Sequence, residues 1–211
     1  MIGASARLDS PSFHRNVGPI RAVLERWLGE SSGDVVEIGS GTGQHCVAFA
    51  EAMRGLRWWP TDPSDDHLRS IAAWREAARL PNLAAPMALD ATATDWRFGR
   101  TGRPPNRDLA AIVAINVLHI APWAVTEGIM QGAGRYLGTG GLLFIYGPFK
   151  RDGEHTAPSN AAFDRSLRLS DPSWGVRDVA DVEGYALTVG LNLADMVAMP
   201  ANNLMLVFRR R

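Results

Sequence analysis

The stretch from Val35 to Gly43, V-V-E-I-G-S-G-T-G, constrains this chain more than any other. Two β-branched residues, an acid and an isoleucine run into three glycines on alternate positions, and an amphipathic segment follows directly. The pattern predicts a buried strand, a tight turn and a helix. Glycine takes positive φ without a Cβ penalty and lets a ligand approach the main chain. The helix behind it offers unpaired N–H groups in its first turn. In an open α/β sheet such a turn stands at the carboxyl ends of the strands, the rim where ligands bind.

The rest of the chain has the rhythm this requires. Residues 1–16 read as irregular, and a helix is expected from Gly18-Pro19, with Ile20, Val23, Leu24 and Leu28 on one face. Strands are expected at 56–61 (ending at Asp62), 87–90, 109–115 and 142–146, with helices from about 65 to 79 and from Pro122. Leu109 to Ile115 is almost wholly apolar, as a central strand covered on both faces should be. This spacing predicts an α/β protein with a mostly parallel sheet and helices on both sides. After Tyr146 the rhythm breaks into a polar insertion, 147–175, with a short helix near 159–169. A helix near 178–189 and strands near 193–199 and 204–209 follow. The link Pro200-Ala201-Asn202-Asn203 is so short that these strands must be antiparallel neighbours.

No shift in composition divides the 211 residues, so one domain over 1–211 is expected. Within it, 1–33 form an N-terminal cap and helix, and 147–175 lie over the pocket. The 22 basic and 22 acidic residues balance, which gives no electrostatic case for nucleic acid or a membrane surface. There is no apolar signal core or bilayer-length apolar run, and a single cysteine, Cys46, fits a reducing compartment. A cytoplasmic protein is the expectation. Five histidines and one cysteine show no zinc-ligand spacing, so no metal is expected.

Dinucleotide turns read G-x-G-x-x-G, whereas Gly39, Gly41 and Gly43 give G-x-G-x-G, with Gln44 where the last dinucleotide glycine belongs. No lysine follows to make a phosphate loop. Glu37, two residues before the first glycine, would repel a pyrophosphate but suits a ligand bearing an ammonium and a sulfonium. Asp62, at the end of the second strand, is placed to take ribose hydroxyls or to cap a helix before Pro63. Asp90 could accept from an adenine amino group or be an ordinary turn residue. Asn116 and His119 follow the fourth strand, where His119 could act as a general base, line the pocket or cap the next helix.

With these residues stand Arg15-Asn16, N-V-L-H-I at 116–120, Y-G-P-F at 146–149, S-N-A-A-F-D-R-S-L-R at 159–168, D-P-S-W-G-V-R-D at 171–178 and M-P-A-N-N-L at 199–204. On them the chain resembles the class I S-adenosylmethionine-dependent methyltransferases, and more narrowly it is similar to the methyltransferase-like 26 family. The resemblance implies a three-layer Rossmann-like fold, a seven-stranded sheet ending in an antiparallel hairpin, and S-adenosylmethionine as cofactor with S-adenosylhomocysteine as product. It names no acceptor.

The expected cofactor residues are Glu37, Gly39, Ser40, Gly41, Thr42, Gly43, Asp62, Asp90 and Asn116, with Arg15 and Asn16 pinning the methionine carboxylate or standing as surface charge. His119, Tyr146 and His155 are candidate bases. Asn160, Asp164, Trp174, Asn202 and Asn203 either bind the acceptor or hold the insertion to the sheet. The expected activity is methyl transfer to a small molecule, with a protein acceptor as the alternative. The competing readings are a non-catalytic scaffold that keeps the pocket, and an NAD(P)-linked oxidoreductase.

Overall fold

The computed structural model describes residues 6–211. Helix α1 (Pro11–Leu28) starts at Pro11, ahead of the expected Gly18-Pro19. Pro11 sits in the first turn, where a missing N–H is no loss. Pro19 lies inside the helix and deprives only the carbonyl of exposed Arg15 of its intrahelical donor. Tertiary contacts hold the extra turns: Asn16 Oδ1 lies 2.8 Å from His45 Nε2, and the Phe13 ring packs edge-on against His45.

Strand β1 (Gly33–Ile38) leads through the glycine turn into α2 (Gln44–Ala52); β2 (Leu56–Asp62) leads into α3 (Asp65–Ala78). Next come β3 (Met87–Ala88), β4 (Leu109–Ile115) and α4 (Trp123–Tyr136). Strand β5 (Leu137–Arg151) runs well past the expected end at Tyr146. The Gly147-Pro148 pair that reads as a break still faces the last strand, pairing with Leu204 and Asn203. Beyond it come β6 (Glu154–His155), α5 (Pro158–Ser170), β7 (Arg177–Asp178), α6 (Val179–Thr188), β8 (Leu191–Met199) and β9 (Asn203–Arg210).

The main path of the sheet holds seven strands in the order β3-β2-β1-β4-β5-β9-β8, and short β6 and β7 both pair with the end of β5. β1 to β5 are mutually parallel, and β9 is antiparallel to both β5 and β8. This is the α/β architecture with a closing reversed hairpin that the resemblance implies.

Strand alternation divides the core into two layers. Ala111, Val113 and Ile115 of β4 pack with Ile20 of α1, Phe49 of α2 and Ile71 of α3. Ile112 and Ala114 face Ile129 and Met130 of α4 and Val182 of α6. Full burial of side chains such as Ile112 or Phe49 contributes roughly 1.5–3 kcal/mol each. The crossovers therefore leave one rim, the carboxyl ends of β1, β2 and β4, framed by turns. No described helix is long and apolar enough to cross a membrane.

Candidate functional site

A cavity of about 460 Å³ opens at that rim. It lies within the ~300–1,000 Å³ span of small-molecule sites. The three glycines of the turn have φ of 66°, 55° and 91° at Gly39, Gly41 and Gly43 and do different work. A Cβ on Gly39 would stand 2.9 Å from Val117 Cγ2, and one on Gly43 would stand 2.8 Å from the Cα of Ile71. Those two glycines let the turn pack on its neighbours. Gly41 has open space on that side, and its N–H donates to Asp62 Oδ2 at 2.9 Å. It is the backbone position a ligand can approach.

Asp62, only 3% exposed, also accepts from the Ser64 N–H at 2.9 Å and lies 3.0 Å from His67 Nδ1. Ser64, not Asp62, is the N-cap of α3. Glu37 is 2% exposed, and its Oε2 accepts from Trp58 Nε1 at 2.6 Å. Burial pushes this carboxyl up to about 8, against the lowering effect of the Trp58 and Ser40 hydrogen bonds. Burial thus favours the protonated form of Glu37, where the sequence reading expects a carboxylate. Ser40 is buried in the turn and donates its N–H to Thr61 O at 2.8 Å.

Asp90 lines the cavity beside an apolar wall of Leu89, Ala91, Val117, Ile120 and Val125. Its Oδ1 accepts from Thr92 N and Oγ1 at 2.9 and 2.7 Å. Asn116 also lines the cavity, with its backbone left-handed at φ 58° and its N–H donating to Tyr146 O at 2.8 Å. Asparagine tolerates this conformation better than most residues, and such backbone gathers at functional sites.

The cavity brings together Glu37, Gly39, Ser40, Gly41, Thr42, Asp62, Asp90 and Asn116; Gly43 supports the turn from behind. Arg15 is exposed and away from the lining, and Asn16 reaches it only through His45. Burial moves the His45 imidazole down to about 4 and so keeps it neutral.

Residues 147–175 contribute nothing to the lining and pack instead beside the end of β4. Asp164, 5% exposed, accepts from Val176 N at 2.7 Å and from Arg168 Nε at 3.3 Å, with Lys150 Nζ at 3.5 Å and His155 Nε2 at 3.3 Å. Burial pushes it up, but the Val176 N–H, Lys150 and Arg168 outweigh that and hold it below the usual carboxylate range. Asn160 donates to Thr156 Oγ1 and to Asn202 O, both at 3.0 Å, and Asn203 donates to the Tyr146 hydroxyl at 3.1 Å. Trp174 is half-buried, its N–H on Asp171 O. In this arrangement these side chains tie the insertion to the hairpin and to β5.

Sequence reasoning missed three contributors. Gln44 bonds the chain ahead of α1: its Oε1 accepts from Ser10 N at 2.7 Å and its Nε2 donates to Asp9 Oδ1 at 2.8 Å. Ser10 and Ser12 thereby reach the cavity wall. His67, five residues beyond Asp62, sits on that acid at helical spacing. Arg177 donates to the carbonyls of Leu118, Ala121 and Ser173 at 3.1, 2.6 and 2.9 Å and so fixes the turn that carries Ile120. The advance signals among these were Gln44's odd place in the glycine motif and the D-P-S-W-G-V-R-D motif that contains Arg177.

The fold is that of the Rossmann-like methyltransferases. An O-methyltransferase family protein from Burkholderia thailandensis superposes with a TM-score of 0.78 at 14% identity, over 94% of this chain and 57% of that one. The structure described as PigF with SAH gives 0.72 at 14% identity, over 94% and 56%. The protein complexed with the Haloferax volcanii Trm112 methyltransferase activator gives 0.72 at 15% identity, over 93% and 91%. The chain thus spans little more than half the length of the first two and nearly all of the third. Residues 7–210 match the model of the family described as protein of unknown function DUF938, and the chain belongs to that family.

Proposed function

We propose that this protein is an S-adenosylmethionine-dependent methyltransferase, folded as one domain over 1–211, acting on a small molecule and akin to the methyltransferase-like 26 family. The observation that carries the reading is Gly41: an open-faced glycine with its N–H fixed by the buried carboxylate of Asp62, in a cavity at the strand ends. Asp62 and Gly41 would hold the ribose, the apolar wall and Asp90 the adenine, and Glu37 with Asn116 the amino-acid end. Similarity to a structure described as holding SAH supports the same cofactor.

When bound, the cofactor would supply a methyl group on a positively charged sulfur. The chain's own work is then to orient the acceptor and exclude water. A base is needed only for an acceptor that arrives protonated. Tyr146 is held by Asn203, with its hydroxyl pushed above the usual range by burial, and His155 is drawn to Asp164. His119 is the candidate left; burial with Arg177 nearby brings its imidazole down to about 4, so it is neutral and can accept a hydrogen bond, but it is a weak base.

Gln44 argues against NAD(P), because its side chain is committed to Ser10 and Asp9 where a dinucleotide turn needs glycine. A scaffold reading draws support from Glu37 and Asp62, both already hydrogen-bonded within the chain. Calorimetric titration separates these: S-adenosylhomocysteine should bind and NAD should not. Binding of NAD alone would overturn the proposal. Labelled S-adenosylmethionine in cell extract should label a small molecule, whereas silence across extracts would favour the scaffold.

A further inference from the structure

The acid that ends β2 is more heavily engaged than a carboxylate waiting for a ligand need be. Asp62 Oδ1 accepts from the Ser64 N–H at 2.9 Å and lies 3.0 Å from His67 Nδ1, while Oδ2 accepts from the Gly41 N–H at 2.9 Å. A carboxylate only accepts, so Nδ1 of His67 is the donor at this contact. The two oxygens of a carboxylate offer about four lone-pair positions. Described residues fill two on Oδ1 and one on Oδ2, which leaves a position on Oδ2. Asp62 and His67 both line the cavity, the acid's side chain 5% exposed and the imidazole's 42%. The local sequence builds the arrangement. Pro63 turns the chain out of β2, the Ser64 side chain caps the His67 N–H, and the imidazole in the first turn of α3 reaches back to the strand end.

We propose that His67 is a positioning residue that sets how this site reads a ribose: by filling Oδ1 together with the Ser64 N–H, it leaves Asp62 able to grip one hydroxyl of the ligand's sugar and not the vicinal pair. The inference rests on the methyl-transfer reading and specifies the nucleoside that site takes. A free carboxylate facing a cis-diol accepts from both hydroxyls, one on each oxygen. Here a second O–H would have to displace the imidazole or the Ser64 N–H from Oδ1, and either exchange gives up one hydrogen bond for another. One hydroxyl is then held by a charge-assisted bond, and the other meets no carboxylate oxygen. The site therefore admits a nucleoside thioether that lacks the second hydroxyl.

The test compares S-adenosylhomocysteine with its 2′-deoxy and 3′-deoxy forms by calorimetric titration of the full chain. One deoxy form should bind like the parent and the other about ten- to hundredfold more weakly, the loss of one hydrogen bond to a charged group. His67→Ala frees a position on Oδ1, so the tolerated deoxy form should now bind about tenfold more weakly than the parent. His67→Asn returns an N–H donor close to the place of Nδ1 and should restore the wild-type pattern. A merely structural tie between β2 and α3 would shift all these ligands together and leave their ratios alone. Unfolding midpoints of each variant establish that it is folded. Equal loss for both deoxy forms in the wild-type chain, loss for neither, or unchanged ratios in His67→Ala overturns the inference alone. Wild-type protein that binds no S-adenosylhomocysteine would instead sink the methyl-transfer reading, and the inference with it.

Discussion

The indole N–H of Trp58, on β2, donates to Oε2 of Glu37, on β1, at 2.6 Å inside the sheet. The acid at the mouth of the glycine turn is therefore gripped from below and buried.

Glu37 should make both stability and binding depend on pH. Burial raises it from 4.5 to about 8, so between those values the folded chain holds a proton that the unfolded chain has released. Stability should be greatest below about pH 4.5 as far as this group is concerned, and fall as pH rises toward about 8. Glu37→Gln should remove that slope, read as the unfolding midpoint against pH for both proteins. A ligand with an ammonium near Glu37 favours the ionised form, so its affinity should rise with pH and its binding should release a proton near pH 7. Calorimetry with S-adenosylhomocysteine in buffers of different ionisation enthalpy measures this, and Glu37→Gln should bind weakly without proton release.

Gly41 and Gly43 should respond differently to alanine. Both have positive φ, which costs an L-residue about 1–2 kcal/mol. At Gly41 the added methyl meets nothing in the chain but enters the face a ligand would use. Gly41→Ala should lower stability by that amount only and abolish S-adenosylhomocysteine binding. At Gly43 the methyl meets Ile71 Cα at 2.8 Å, which is backbone and cannot step aside. Gly43→Ala should cost roughly 2–4 kcal/mol, seen in denaturant unfolding.

Arg177 should control cofactor affinity from outside the cavity. Its three carbonyl contacts and the Trp123 ring at 5.8 Å hold the turn at 118–121. Arg177→Met should weaken S-adenosylhomocysteine about tenfold and raise hydrogen exchange in that turn, with Arg177→Lys between the two because it lacks the planar fork.

Gln44→Gly restores the dinucleotide motif on paper yet should confer no NAD binding. It removes the partner of Ser10 N and Asp9, so about 1–3 kcal/mol of local stability should go. Hydrogen exchange at Ser10 and Leu8, whose N–H groups rest on Gln44 and Ser70, should quicken while β4 stays protected.

Much of the architecture could be read in advance, because it is written in local signals. Leu109–Ile115 is a strand with the bounds its apolar run predicts, and Pro200–Asn203 forces the hairpin. The start of α1 and the length of β5 could not be read that way, because both depend on partners distant in sequence. Asn16 needs His45 to extend the helix past Pro19, and Gly147-Pro148 needs β9 to remain in the ladder. The three acids Glu37, Asp62 and Asp90 were recognisable from their places at strand ends. Their present partners were not.

Periodicity and glycine spacing alone determined the strand-turn-helix at 35–52, the parallel α/β sheet with its reversed end, and the rim on which a ligand would sit. Those features follow from backbone geometry, which local residues dictate. Tertiary structure decided the protonation preference of Glu37, the removal of Arg15 from the pocket, the conversion of Gln44 into a clasp and the burial of His119. Desolvation and hydrogen-bond partnership depend on which distant chain segments close around a group, and only the folded chain sets them.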